Sequence, residues 1–342
     1  MTLTTGTDLG RAWHLLHEAR ESIDPELRKA VDRLAEPIRT VVGYHFGWWD
    51  EQGRPARADW GKGVRGALVL GAARAVGADA GAAVATASAV ELVHNFTVVH
   101  DDVMDGDVLR RGRATVWSAF GTSQAILAGD AMLVLALGTL SAQYRPQAVR
   151  EVSRTLVDLV AGQGCDLAFE ARSDVELEEC LQMAAGKTAS LLACACAVGA
   201  LAAGAAPEQV DALRAFGHHL GLAFQLVDDL LGIWGDSRTT GKAVGADLRL
   251  RKKSLPVVAA LAAEGPAADR LAELYHRAGA LPDAEVVEAA SLIERAGGRA
   301  WARAEVVRQR RRALDCLAAA TTGAAADPDL LAIADLIAGR EL

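Results

Sequence analysis

The sequence predicts an all-α protein folded as a single helical bundle of ten or more helices. Three observations carry that reading. Of the 342 residues 51% are hydrophobic but only 5% are aromatic, with 33 glycines and heavy use of alanine. Small residues at this density suit closely packed helices, whereas a sheet would draw on more Val, Ile, Thr and aromatic side chains. Apolar residues recur at spacings of three and four, and neither strand alternation nor a fixed-period repeat is present.

The elements follow in order. Residues 1 to about 25, ending at Pro25, read as a loose lead-in, so that the domain proper runs over 26–342. Leu27, Val31, Leu34, Ile38 and Val41 give a helical stripe over 26–42. A Gly- and Trp-containing loop from Gly47 to Gly53 leads into Trp60-Gly61-Lys62-Gly63-Val64-Arg65-Gly66. Apolar helices are predicted over 65–76 and 80–105, then 122–140, 147–170 and 175–202. Pro207 opens another over 208–233, and a polar loop from Gly235 to Arg251 holds Lys242 and Asp247, with Lys252 just beyond. Helices over 254–264, 266–278 and 283–320, and a short one after Pro328, finish the chain.

Lysine and arginine number 36 against 44 acidic residues, a formal net charge of -8. That balance argues against a nucleic-acid partner, which needs a basic face to neutralise phosphates. Cys165, Cys180, Cys194, Cys196 and Cys316 are odd in number, scattered and without a CxxC pair. They read as reduced thiols of a cytoplasmic protein, and the first twenty residues lack the apolar core of a signal peptide. The uncharged stretch 189–206 is mostly Ala, Gly and Cys, weak drivers of insertion, and reads as a buried central helix and not a membrane span.

The helix over 80–105 ends in His100-Asp101-Asp102-Val103-Met104-Asp105, with Arg110-Arg111-Gly112-Arg113 close behind. Asp101 and Asp105 stand at i and i+4, so both carboxylates project from one face. Like charges one turn apart repel, and oxygen ligands suit a hard cation such as magnesium between them. The arginines add forked donors matched to phosphate oxygens, so the combination suggests a metal-bridged diphosphate. A solvated helix end is the simpler reading of the acidic cluster alone. An EF-hand fails, because its third position is Val103 and its twelfth is Gly112, where a bidentate Glu is required.

A second acidic pair, Asp228 and Asp229, interrupts an apolar run from Leu220 to Leu231, with Gln225 one turn earlier on the same face. Buried carboxylates cost several kcal/mol each or take up protons, so the pair asks for a cation; the alternative is an amphipathic helix with its acids in water. Two acid pairs on separate inward helices make a metal cage between facing helices attractive.

The segments HDDVMDGDVLRRGRATVW, GKTASLL, FQLVDDLL and GKAVGADLRLRKKSLP, in this order and spacing, resemble the trans-isoprenyl diphosphate synthase (polyprenyl synthetase) family. The similarity runs from about Lys62 to Pro256, and the later AGGRAWA is also similar to family C-terminal helices. The resemblance implies a helical bundle around a central substrate cavity and a magnesium-dependent prenyltransferase, with roughly three metal ions per site, acting on isopentenyl diphosphate and an allylic diphosphate (dimethylallyl, geranyl or farnesyl). It implies that Asp101 and Asp105, supported by Asp102, bind metal on the allylic diphosphate, with the pair Asp228 and Asp229 opposite. Arg110, Lys187 and Lys252 would contact the same diphosphate, and Thr188 and Gln225 would line its surroundings. Lys62, Arg65, His94 and Arg111 fall where the family binds isopentenyl diphosphate; Gln163 and Asp166 match its GQxxDL segment; Lys242 sits in the closing loop. Taken singly, Lys62, Arg65 and Lys242 read as surface charges, and His94 as a core histidine. A homodimer is implied as well.

Departures from the family pattern are equally plain. The second motif ends at Gly232 where the fifth position is commonly Asp, so weaker metal binding is expected; GGKRxRP is here WGKGVRG, and RRGRP carries Ala114. One helical turn rises about 5.4 Å, close to one extended isoprene unit, so the residues four and five before Asp101 are the expected pocket floor. Thr97 leaves room there and Phe96 closes part of it, a pattern similar to archaeal-type geranylgeranyl synthases, with Val93, Val90 and Ala89 beyond. A twenty-carbon product is expected, with fifteen and twenty-five carbons as alternatives. Terpene cyclisation on the same fold, or service as a non-catalytic partner subunit, are the competing functions; the lysine, arginines and histidine of the isopentenyl site favour elongation.

Overall fold

The computed structural model describes residues 6–143, 145–235, 245–277, 279–321 and 327–339. Helix α1 spans Gly6–Val31, α2 Ile38–His45 and α3 Val64–Ala75. A short 3-10 turn, Ala80–Ala83, leads into α4, Val84–Met104. A hairpin of two-residue strands, Leu109–Arg110 and Arg113–Ala114, separates α4 from α5, Val116–Phe120. Long helices α6 (Thr122–Ala142) and α7 (Pro146–Ala171) follow, then α8 (Leu177–Ala184), a π turn over Ala185–Ala189, α9 (Ser190–Ala202) and α10 (Pro207–Trp234). The chain closes with α11 (Ala246–Arg249), α12 (Leu255–Leu261), α13 (Pro266–His276), α14 (Asp283–Arg295), α15 (Gly298–Ala320) and α16 (Pro328–Ala338).

The expectation of a loose lead-in is corrected. Residues 6–25 are helical and Pro25 lies inside α1. Ala12, Leu15, Leu16, Ala19 and Ile23 are buried in the same core as residues of α16, so no boundary falls at residue 26. Arg11 pairs with Asp329 at 2.6 Å and Arg74 reaches the same carboxylate at 3.2 Å, tying α1, α3 and α16 together. The predicted helix over 26–42 is broken between Val31 and Ile38, and that over 283–320 breaks at Gly297, whose φ of +87° ends a helix without cost to a residue lacking Cβ.

At the centre stands α9, almost wholly buried, with α3, α7 and α10 packed around it. Its Ala, Cys and Gly content is the reason: Gly199 lies so close to α3 that a Cβ would fall 2.3 Å from the carbonyl oxygen of Val69. Among the described residues three helical stretches are long and apolar enough to cross a membrane by length and composition, and in two of them 72% of the apolar window is buried within the protein. The third is α6, only 39% buried, with Ile126, Leu127 and Val134 exposed.

Candidate active site

Positions 94, 97 and 101 of α4, spaced by three and four, are half-buried and lie on one side of the helix, so His94, Thr97 and Asp101 open together. Burial pushes the Asp101 carboxyl up and Asp105 adds to the shift, against the pull of Lys187. Asp105 caps the helix in an exposed position. Asp102 faces elsewhere: it is buried and accepts the Arg110 Nε–H at 2.5 Å. Burial raises its pKa to about 6 in spite of that guanidinium. Asp102 therefore holds Arg110 and the hairpin, and differs from the supporting place at the metal that the sequence reading gave it, because its carboxylate is buried against a guanidinium.

Opposite α4, α7 and the π turn supply the next groups. Lys187 donates to Asp166, and Lys252 stands 3.6 Å from the same carboxylate. Burial raises Asp166, but the two ammonium groups more than offset it and hold it below its usual value. Burial likewise lowers Lys252, yet Asp166, Asp247, Asp105 and Asp229 together keep it firmly charged. These acids belong to separate helices or their caps, so Lys252 feels the charge of all four while contacting Asp166. Gln163 is buried beside them, its Nε2 without a partner among the described residues. Close approach makes this possible: a Cβ on Gly162 would lie 2.3 Å from the Lys187 amide nitrogen.

The second acidic pair divides. Thr188 Oγ1 donates to Gln225 Oε1 at 2.6 Å, Gln225 Nε2 donates to Asp229 Oδ1 at 2.8 Å, and Asp229 Oδ2 accepts the Leu255 N–H at 2.9 Å. Burial raises Asp229 to about 7. With both oxygens engaged by protein donors, Asp229 is an anchor for the start of α12 and not the cation ligand the sequence suggested. Asp228 is exposed on the neighbouring face of α10. The Gly232 departure also has a structural counterpart, because a Cβ there would lie 2.4 Å from Asp247 Oδ2. The carboxylate of Asp247 fills the space that a side chain at 232 would take. Lys242 lies outside the described residues.

At the other end, Arg65 Nη1 lies 3.2 Å from His94 Nε2, and Arg111 is drawn in beside Gly61. Burial, then Arg65 and Arg111, push His94 well below its usual pKa, so the ring is neutral. Lys62 is exposed, its Nζ 5.1 Å from the centre of the Trp13 ring. Sequence reasoning missed two groups here. Glu91 is buried, accepts the Gly66 N–H at 2.7 Å and leaves Oε2 unpartnered; it was legible as a lone charge one turn before His94. His45 pairs with Asn95 at 2.8 Å and burial lowers it to about 4; nothing in the sequence marked it.

Among the described residues no three Asp, Glu, His or Cys side chains converge on one point. A magnesium ion usually takes one or two carboxylates plus substrate phosphate oxygens, and does not need an all-protein cage. The Asp101 carboxyl, with Asp105 one turn on, fits such an ion, and Asp228 on α10 is a third carboxylate to consider with them.

Fold and site define a class: an all-α enzyme whose site gathers carboxylates and cations from several helices. Within that class, the chain belongs to the polyprenyl synthetase family, whose pattern matches residues 55–293, and it is a trans-prenyltransferase. It is 46% identical over 338 residues to geranylgeranyl diphosphate synthase of Mycobacterium tuberculosis, covering 98% of this chain and 95% of that one. It is 51% identical over 314 residues to (2E,6E)-farnesyl diphosphate synthase of Mycobacterium bovis, covering 90% and 88%. The crystal structure of polyprenyl synthetase from Streptomyces coelicolor A3(2) is similar with a TM-score of 0.88 and 47% identity, covering 95% of this chain and 98% of that one. A Caulobacter crescentus polyprenyl synthase, 27% identical with a TM-score of 0.83 and coverage of 98% of each chain, was crystallised with calcium and isoprenyl diphosphate.

Proposed function

We propose that the enzyme extends an allylic diphosphate with isopentenyl diphosphate, using magnesium, to geranylgeranyl diphosphate. The observation that carries the product length is Thr97: it lies one turn below Asp101 on the open stripe of α4, its Oγ1 folded back onto the His94 carbonyl at 2.7 Å. A small floor leaves space for a chain beyond fifteen carbons. Phe96 lies to the side, edge-on to His100 at 5.2 Å, and His100 in turn abuts Gly129 of α6.

In this reading Asp101, Asp105 and Asp228 would hold magnesium, about three ions per site, whose charge would stabilise the departing diphosphate. Lys187, Lys252 and Arg110 bind its oxygens from the protein side. Their carboxylate partners, Asp166 and Asp102, keep them aligned before substrate arrives. Arg65, Arg111, Lys62 and neutral His94 hold isopentenyl diphosphate with its double bond toward the allylic carbon. The allylic carbon–oxygen bond breaks, the isopentenyl double bond forms the new carbon–carbon bond, and a proton leaves to an oxygen of the diphosphate. Thr188 and Gln225, bonded to each other, present fixed dipoles and need form no covalent intermediate.

We also infer that the working form is a homodimer. Support comes from the exposed apolar residues Ile126, Leu127 and Val134 on α6 and Val157 and Val160 on α7, a stripe that suits a second copy.

Product analysis tests the function: purified protein, magnesium, isopentenyl diphosphate and each allylic primer, then phosphatase and chromatography of the alcohols. Geranylgeraniol is expected from the native enzyme, and Thr97→Phe should shorten the chain to fifteen carbons or fewer. Cyclic hydrocarbons formed without isopentenyl uptake would establish a cyclase, and no turnover with any primer would point to a partner subunit.

A further inference from the structure

The helix that the sequence presented as a loose lead-in borders the proposed isopentenyl diphosphate site, and the following inference rests on that assignment. Arg20 projects from α1 onto the loop that carries Lys62. Its guanidinium pairs with Asp59 at 3.0 Å and lies over the Trp60 ring at 5.0 Å. Its aliphatic stem fills the space beside Gly63, where a Cβ would come within 2.8 Å of Arg20 Cγ. Asp59 folds back on its own loop, accepting the Gly61 N–H at 3.0 Å. On the far side of the loop, Arg111 lies against Gly61, a Cβ there being 2.8 Å from Nη2.

Asp59 is thus shared. Burial lowers the Arg111 pKa, and Asp59 is the leading charge that supports its ionised form, ahead of Glu91. Arg65, Arg111 and Arg20 all act on the buried Glu91 carboxylate, which places the three guanidiniums around one region. One acid therefore stands between an arginine expected on substrate and an arginine from α1.

We propose that Arg20 is a positioning residue of the isopentenyl diphosphate site: by engaging Asp59 it keeps that carboxylate from capturing Arg111, which is left available for the diphosphate. Trp60 stacking and the packing against Gly63 fix Arg20 in this duty. Without Arg20, Asp59 still acts on Arg111 across Gly61, and a phosphate would have to compete with it.

The test is steady-state kinetics on the full-length enzyme with Arg20→Gln, Asp59→Asn and the double variant. For Arg20→Gln, KM for isopentenyl diphosphate should rise about five- to thirtyfold, with KM for the allylic primer unchanged and kcat within about twofold. The double variant should recover most of the loss, because a neutral residue 59 no longer holds Arg111. Arg20→Lys, which keeps the charge, should stay within about threefold of the native enzyme and serves if the glutamine variant folds poorly. An unchanged KM in Arg20→Gln, or a double variant as impaired as the single, overturns the inference. A native enzyme that takes up no isopentenyl diphosphate instead overturns the function proposed above, so the two failures are distinct.

Discussion

Replacing Asp229 separates anchoring from metal binding. In Asp229→Ala, the Leu255 N–H and the Gln225 amide lose their acceptor inside the protein. Each orphaned donor costs about 1–3 kcal/mol, so a loss of about 2–6 kcal/mol is expected. Asp229→Asn can keep the Leu255 bond through its carbonyl oxygen. Its amide then faces Gln225, whose side chain must flip to accept; the Thr188 hydroxyl can accept from the flipped amide, so the chain of bonds survives reversed.

The native protein and Asp229→Asn also differ in pH dependence. The folded value of Asp229, about 7, lies above that of an unfolded aspartate. The folded protein therefore holds a proton that the unfolded chain releases, and the contribution to stability is fully present below the unfolded pKa. It falls as pH rises and is lost above the folded pKa, a swing of about 4 kcal/mol. Asparagine removes this term. Thermal unfolding in EDTA from pH 5 to 9 should show Asp229→Asn gaining on the native protein as pH rises. Titration of manganese by electron paramagnetic resonance, with inorganic pyrophosphate present, should be near native for Asp229→Asn and weakened for Asp228→Asn. Equal loss of manganese in both variants, or a native-minus-variant difference flat with pH, would refute the anchoring assignment.

Restoring the missing acid of the second motif should harm the enzyme. Gly232→Asp forces Asp247 aside and adds a carboxylate next to Asp228, so a lower Tm is expected, recovered in part by Asp247→Ala and read by thermal unfolding. Gly162→Ala puts a methyl against the Lys187 and Gly186 backbone, which cannot yield as a side-chain tip does. A cost of about 1–3 kcal/mol and a fall in kcat are expected, since the π turn that aims Lys187 must shift. Gly164→Ala on the same helix meets nothing within 4 Å and should be neutral or stabilising by up to about 1 kcal/mol, as the paired measurement would show.

Much of this protein was legible in its residues because helix periodicity and motif spacing are local. The apolar period gave helices close to their observed extents, as in α6, α7 and α10, and i, i+4 spacing placed Asp101 and Asp105 on one face. Resemblance to the family's motifs brought Asp166, Lys187 and Lys252 into view as candidates, although their meeting at one carboxylate depends on how α7, the π turn and the stretch before α12 pack.

Tertiary structure alone decided the rest, for a physical reason. Whether a carboxylate faces solvent, a cation or a backbone amide depends on which distant segment lies across from it. Asp228 and Asp229 are neighbours in sequence, yet only the arrival of Leu255 makes one of them an anchor. Gly232 reads as a lost ligand until Asp247 is found in its place. Pro25 reads as a stop, but the apolar face of α1 finds partners in the common core, and the buried area there outweighs one missing hydrogen bond. Composition and spacing set which groups exist and which face of a helix they share; the long-range packing of the bundle set which of them meet.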